Sequence, residues 1–177
     1  MEVTVRSDLT VFQNLYYNTK LCYDSLSNDQ IIKKVSSLLK DIGLYEIRHL
    51  KVGNPLNKKI SGGQRKRLNI ALELIREPQV LFVDEPTSGL DLPGREDLLA
   101  RFAAFASDPS SPASIIVTHH LEEIPVGTTH ALLIKSGQIA YSGEIDDVLT
   151  TSNVSDVFNY PLTVNKEGAR FFARANR

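Results

Sequence analysis

Apolar side chains return every three or four positions along the first fifty residues, the period of an α-helix. In "LTVFQNLYYNTKLCY" the spacing puts Leu9, Phe12, Leu15 and Tyr16 on one helical face. "SNDQIIKKVSSLLKDIG" opens on the cap candidates Ser27 and Asn28. It sets Ile31, Ile32, Val35, Leu38, Leu39 and Ile42 at helical spacing and stops at Gly43. The pattern then changes character. In "ISGGQRKRLNIALELIREPQVLFVD", Ser61 and Gln64 form a capping-box pair. The helix that follows runs through Leu68, Leu72 and Ile75 and ends before Pro78. "QVLFVD" is a continuous apolar run, which predicts a strand buried on both faces of a parallel sheet. "PGREDLLARFAAFA" predicts another amphipathic helix, "ASIIVTHH" a second buried strand, and "LEEI" a short helix cut off by Pro125. Strand, helix, strand in this order argues for an α/β layer with parallel strands.

The tail reads differently. "HALLIKSGQIAYSG" predicts a hairpin turning at Ser136-Gly137, and "YPLTVNKEGARFFAR" a second one turning near Glu167-Gly168. Short helices are expected in "EIDDVLT" and "NVSDVF", and a surface loop in the Pro/Ser-rich "SDPSSPAS".

The bulk numbers narrow the function classes. A chain of 177 residues with a formal net charge of -1 has the length of one domain, and no basic bias of the kind that nucleic-acid binders show. No nucleic-acid partner is expected. The one basic run, Arg65-Lys66-Arg67, lies within a helix pattern and reads as a solvated face. The single cysteine, Cys22, rules out an internal disulfide and fits a reducing compartment. Its apolar neighbours predict a packed structural thiol, with no His or Asn nearby to activate it. No apolar run is long enough for a membrane span, and "MEVTVRSD" has the pattern of neither a signal nor a transit peptide.

Three clusters hold candidate chemistry. "VLFVDEP" delivers Asp84 and Glu85 to the carboxyl end of a strand, where ligands of open α/β sheets bind. A magnesium ion would explain Asp84, and a water needing a proton acceptor would explain Glu85. An exposed acidic strand end, with Asp84 capping the next turn, would show the same residues. "SGGQ" combines a hydroxyl, two glycines and a helix N-terminus, which together suit an anion. A capped helix after a flexible loop would look alike. "IIVTHH" sets His119 and His120 at a strand end, where a histidine can hydrogen-bond a phosphate oxygen. A strand-end His is more often structural.

The order of the three clusters is more specific than any one of them. SGGQ, about twenty residues to a strand ending in Asp-Glu, then Ser-Gly-Leu-Asp, then a strand-end His, resembles the ATP-binding cassette (ABC) ATPases from about Leu9 to about Leu149. "ISGGQRKRLNIALELIREPQVLFVDEPTSGLD" most resembles the ABCG or White-like branch. From Asp91 onward the sequence is more similar to a bacterial soluble-type cassette. The resemblance implies an α/β fold: a partial P-loop-NTPase-type ABC ATPase domain, with a helical subdomain, parallel strands and C-terminal β-hairpins. It divides the chain into a helical subdomain over about 9–55, a signature, Walker B, D-loop and switch-His region over 56–150, and an extension over 151–177.

The resemblance also implies roles. Ser61, Gly62, Gly63 and Gln64 correspond to the signature motif, which meets the γ-phosphate of ATP held by an opposing subunit. Asp84 corresponds to the Walker B carboxylate on Mg²⁺, Glu85 to the general base, and His119 to the switch histidine. Ser88, Gly89, Leu90 and Asp91 correspond to the D-loop. The implied cofactors are ATP and Mg²⁺. The implied partners are a second ABC ATPase domain, docked head to tail, and a transmembrane transporter domain. The expected location is cytoplasmic, peripheral at the membrane's inner face through that partner.

One departure limits these expectations. The P-loop, Gly-x-x-x-x-Gly-Lys-Ser/Thr, does not occur in the sequence. The decoy "GNPLNKK" lacks the second glycine and the hydroxyl residue, and "MEVTVRSD" has no glutamine where the resemblance would set the Q-loop. The chain is therefore expected to be the C-terminal portion of such a domain, inactive alone and coupling ATP hydrolysis to transport only when a P-loop is supplied. The alternative is a non-catalytic module that donates its signature motif or binds a partner without its own nucleotide.

Overall fold

The computed structural model describes residues 5–54 and 57–176. The expected boundary at residues 55 and 56 lies outside them. Two compact units divide the chain, one made of Met1–Arg101 and Pro112–Val117, the other of Phe102–Ser111 and Thr118–Arg177.

The first unit opens with α1 (Val11–Cys22) and α2 (Asn28–Asp41). Both begin with a complete capping box. Thr10 and Ser27 accept from the backbones of Gln13 and Gln30, and each Gln side chain accepts in return from the cap backbone. The buried stripe of α1 is Val11, Asn14, Leu15 and Thr19, one position off the expected face, and Phe12 and Tyr16 stay half-buried. In α2 the core takes Ile31, Val35 and Leu39, while Ile32 faces out. Gly43 ends α2 with φ +65°, a conformation open to glycine at no steric cost, and the Leu44 N–H reaches back to Leu39 O at 2.8 Å. Cys22 departs from expectation. It is the last residue of α1 and is exposed although it shares the face of Val11, Leu15 and Thr19, because the buried stripe ends at Thr19, before the helix does.

Next come β1 (Gly53–Asn54) and β2 (Asn57–Lys58), which pair antiparallel, Gly53 with Lys58 and Asn54 with Asn57, so the described residues of "GNPLNKK" are engaged with one another. Helix α3 (Gly62–Leu74) packs against β3 (Val80–Asp84), and β4 (Ala113–Val117) lies parallel to β3, with Phe82 opposite Ile115 and Asp84 opposite Val117. The expected parallel pairing is present. Burial on both faces is not: Leu81 and Val83 are buried, whereas Val80, Phe82, Ile115 and Val117 are exposed. The strands alternate instead of being enclosed, because α3 covers one face only among the described residues.

Helix α4 (Leu92–Ser107) contains the boundary between the units. The second unit continues with a 3₁₀ turn at Leu121–Glu123, the hairpin β5 (His130–Lys135) and β6 (Gln138–Glu144), α5 (Ile145–Val148), α6 (Thr151–Phe158), and the hairpin β7 (Leu162–Glu167) and β8 (Arg170–Ala175). The β5–β6 turn falls on Ser136 and Gly137, both with positive φ, as "SG" between apolar runs predicts. Leu121, Val148, Leu149, Val154 and Phe171 form this unit's own small core. The architecture is α/β, with one parallel strand pair among the described residues and C-terminal antiparallel hairpins.

Candidate functional site

Ser61 is the N-cap of α3. Its hydroxyl accepts from Gln64 N at 3.1 Å, and the Gln64 side chain accepts from Ser61 N at 2.8 Å. Two donors of the first turn are thereby satisfied within the chain, and the glycines between them remain bare. A Cβ built on Gly62 meets open space, so nothing in the chain's own packing requires glycine there. A Cβ on Gly63 would stand 3.5 Å from Leu90 Cδ2, which brings the end of the Ser-Gly-Leu-Asp stretch over the start of α3.

The basic run was expected to be a solvated face, and the structure corrects that. All three side chains are partly buried and bonded inward. Arg65 donates to Gly53 O at 2.7 Å, and Lys66 Nζ donates to Glu85 O at 2.8 Å. Arg67 pairs with Asp97, which also accepts from Arg101, while Arg101 donates to Asp41 O. Burial pushes the Arg67 guanidinium down from its ordinary pKa, and Asp97 opposes that shift. The physical reason is the 3.6-residue period, since three successive helical positions cover most of the circumference and meet different neighbours. Lys66 is the residue that sequence reasoning missed at this site. Its only signal was its place as the fifth residue of the helix that carries the motif.

Asp84 ends β3 and is exposed. Glu85 follows in a left-handed conformation, φ +43°, which is uncommon for a non-glycine residue. Its N–H donates to Val117 O at 2.9 Å, so the parallel ladder reaches one residue beyond Asp84. A turn then closes through Ser88 N to Glu85 O at 3.2 Å and Leu90 N to Thr87 O at 3.0 Å, with Gly89 at φ +72°. Thr87 is buried beneath it with its hydroxyl unpartnered. Asp91, expected to bind cofactor, accepts from Gly94 N at 3.1 Å and so caps α4.

Among the described residues, no group of three or more His, Cys, Asp or Glu side chains is arranged to hold a metal ion. Asp84 and Glu85 offer two adjoining carboxylates. That donor set suits an Mg²⁺ that draws its remaining ligands from water and phosphate oxygens, and does not suit one held by protein alone.

His119 lies in the second unit, two residues beyond β4, and is exposed. The residue before it, Thr118, donates to the buried Glu123 at 2.8 Å and accepts from His120 N at 3.1 Å. This closed turn sets the His119 backbone. The structure thus brings Ser61, Gly62, Gly63, Gln64, Asp84, Glu85 and Asp91 into one unit and leaves His119 in the other.

The comparisons with known proteins agree with one another. A family model described as "ABC transporter" matches residues 2–88. The ABC transporter ATP-binding protein YlmA of Bacillus subtilis (strain 168) is 36% identical over 132 residues, 75% of this chain and 48% of YlmA. ABC transporter G family member 25 of Oryza sativa subsp. japonica is 34% identical over 148 residues, 82% of this chain and 15% of that protein. Among solved structures, an ABC transporter in an inward-facing conformation superposes with a TM-score of 0.77 at 19% identity, covering 97% of this chain and 67% of that one. The chain spans about half the length of YlmA and far less of the rice protein.

Proposed function

Because the chain belongs to the ABC transporter ATPase family, we propose that it is the signature-bearing part of an ATP-hydrolysing transporter subunit. The observation that carries this reading is the bond from Lys66 to the Glu85 carbonyl. It ties the helix opening at Ser61 to the acidic end of β3 and so couples the two halves of the proposed chemistry.

In this reading, the bare N-terminus of α3 at Ser61, Gly62, Gly63 and Gln64 faces the γ-phosphate of ATP held by an opposing ABC domain in a head-to-tail dimer. Asp84 would hold Mg²⁺, which supplies positive charge against the phosphates. Glu85 accepts the proton of the attacking water. His119 reads the γ-phosphate, and Asp91, by capping α4, orients the turn at the dimer interface. A transmembrane partner places the assembly at the inner face of the membrane. No helix among the described residues is long and apolar enough to cross a membrane, so a membrane location would come through that partner.

The backbone cradle and lysine that bind phosphate in P-loop ATPases are not among these 177 residues. Calorimetry is expected to give no heat when Mg·ATP is titrated into the chain alone, and turnover only when a P-loop-bearing ABC domain is present. A magnesium-dependent ATPase rate of the chain alone, abolished by Glu85→Gln, would overturn this expectation. One observation favours a second reading, a non-catalytic module that donates its signature: the α3 N-terminus is complete within the chain, whereas the β3 end has no phosphate anchor. In that case the assembly's turnover responds to substitution at Gly63 and ignores Glu85→Gln.

A further inference from the structure

Strand β8 of the C-terminal hairpin reaches back to the turn that carries His119. Leu121 opens the 3₁₀ turn just after His119 and His120, and it shares the small core of the second unit with Phe171 of β8. The residue before Phe171 is Arg170. Its guanidinium donates to the Glu122 carbonyl, 48 residues back in the sequence. Hydrogen bonds from a charged donor are stronger than neutral ones. The turn is also closed from within. Thr118 Oγ1 donates to Glu123 Oε2 at 2.8 Å and accepts from His120 N at 3.1 Å, and Glu123 N donates to His120 O at 3.1 Å. Glu123 is buried, and a buried carboxylate requires donors or positive charge close by. Arg170 brings positive charge to the carbonyl immediately before it. Glu123 therefore holds Thr118 on one side of His119, and Arg170 holds Glu122 on the other.

The hairpin can bear that load because it is anchored itself. Its strands pair from Leu162 opposite Ala175 to Glu167 opposite Arg170. Lys166 pairs with Asp146 of α5, Val164 N donates to Thr151 Oγ1 at 3.0 Å, and Leu162 N donates to Ser155 Oγ at 3.1 Å. The family match covers residues 2–88, so it says nothing of this hairpin.

We propose that Arg170 is a positioning residue for His119. The C-terminal hairpin fixes the turn through Arg170 on the Glu122 carbonyl and Phe171 in the core with Leu121, and so sets where the exposed His119 imidazole is presented. Arginine suits the task because it stays charged at any working pH. The hold on the turn stands on geometry alone. Its importance for reading a phosphate rests on the function proposed above, where about 1 Å of misplacement can lower a rate about 10²-fold.

The test uses the full chain, isotope-labelled and without nucleotide. Nuclear magnetic resonance follows the His119 ring signals and amide exchange at His120 and Glu123. His49, in the other unit, and His130, on β5, serve as references. Arg170→Met keeps the apolar stem and loses the charged donor. It should displace the His119 signals, leave those of His49 and His130 in place, and speed exchange at His120 and Glu123 about tenfold, as loss of one hydrogen bond from a charged group implies. Arg170→Lys still sets a cation on the carbonyl and should restore most of both. Arg174→Met, exposed on the same strand, should change neither. Should Arg170→Met fail to fold by circular dichroism, Arg170→Gln takes its place under the same criteria. Unmoved His119 signals with unchanged exchange overturn the proposal. So do changes that Arg174→Met reproduces, and a loss that Arg170→Lys leaves in full, which would assign the effect to packing.

Adding a P-loop-bearing ABC domain to the same variants separates this inference from the function. Arg170→Met should then lower kcat about tenfold and leave KM for ATP nearly unchanged. Displaced His119 signals without any change in turnover would refute the phosphate-reading role of His119 and leave Arg170 as the residue that sets the turn. Lowered turnover with unmoved signals would do the reverse.

Discussion

The N-terminus of α3 and the carboxyl end of β3 lie in one compact unit and bear adjoining motifs, yet they are built in opposite ways. The α3 end is locally complete. Ser61 and Gln64 satisfy each other's backbone groups, Arg65 fastens the first turn to Gly53 O, and the glycines stay bare. The β3 end is locally incomplete. Asp84 is exposed, the Thr87 hydroxyl is buried without a partner, and the apolar face leading up to Asp84 is uncovered. A helix cap needs only residues three apart in sequence, so it forms wherever the helix forms. A metal-and-phosphate site at a sheet edge needs groups from several strands and their loops. Lys66 spans the two ends, holding the Glu85 carbonyl from the helix side.

Substitutions that separate the two ends test this contrast. The largest effect is expected for Glu85→Gln in an assembly that includes a P-loop-bearing partner. Loss of a general base should lower ATP turnover by about 10²–10⁴-fold in a steady-state phosphate-release assay, while the urea midpoint of the chain stays put. Retained turnover would mean that the acidic end takes no part in the chemistry.

The next effect compares the covered and the uncovered side of the same layer. Leu72 is fully buried in α3, and Leu72→Ala should cost about 2–5 kcal/mol by urea unfolding. Phe82→Ser, on the open strand face, should stay within about 0.5 kcal/mol of the parent. Equal losses from the two would show that the open face is packed in solution.

A smaller effect belongs to the cap. Ser61→Ala removes the acceptor for Gln64 N and should destabilise the chain by about 1 kcal/mol. Asp84→Asn at the exposed strand end should cost nothing measurable in the same denaturation series. A stability loss from Asp84→Asn and none from Ser61→Ala would invert the contrast.

The smallest effect is electrostatic and lies at the far end of α3. The hydrogen bond from Lys34 holds the Glu77 carboxyl below its ordinary pKa. A depressed folded pKa stabilises the fold above the unfolded pKa, and that contribution is lost as pH falls through the folded value. Glu77→Gln should therefore lower the melting temperature slightly at neutral pH and converge on the parent in acid, a small difference because Glu77 is largely exposed. A stronger effect in acid than at neutral pH would disprove the assignment.

Much of the architecture was legible before any coordinates. The caps at Ser27 and Ser61, the stop at Gly43, the turn at Ser136-Gly137 and the short helices after Glu144 all rest on neighbours within a few residues. Where the reading failed, the contacts are distant in sequence. The solvated-face reading of Arg65-Lys66-Arg67 failed because the partners Gly53, Glu85 and Asp97 lie 12, 19 and 30 residues away. Cys22 was expected to pack because its neighbours are apolar, but it closes α1 beyond Thr19, the last buried residue of that helix. Asp91 caps α4 through Gly94 N, three residues on, a contact as local as the other caps.

By itself, the sequence determined the elements, their order, the parallel pairing and the family, because periodicity, caps and a motif series of fixed spacing are local or linear properties. Only the tertiary structure decided which faces those elements bury. "VLFV" is apolar throughout, and nothing in its letters says that Leu81 and Val83 are enclosed while Val80 and Phe82 face out. Burial depends on what a second layer supplies, and a strand's own residues do not encode whether that layer is present.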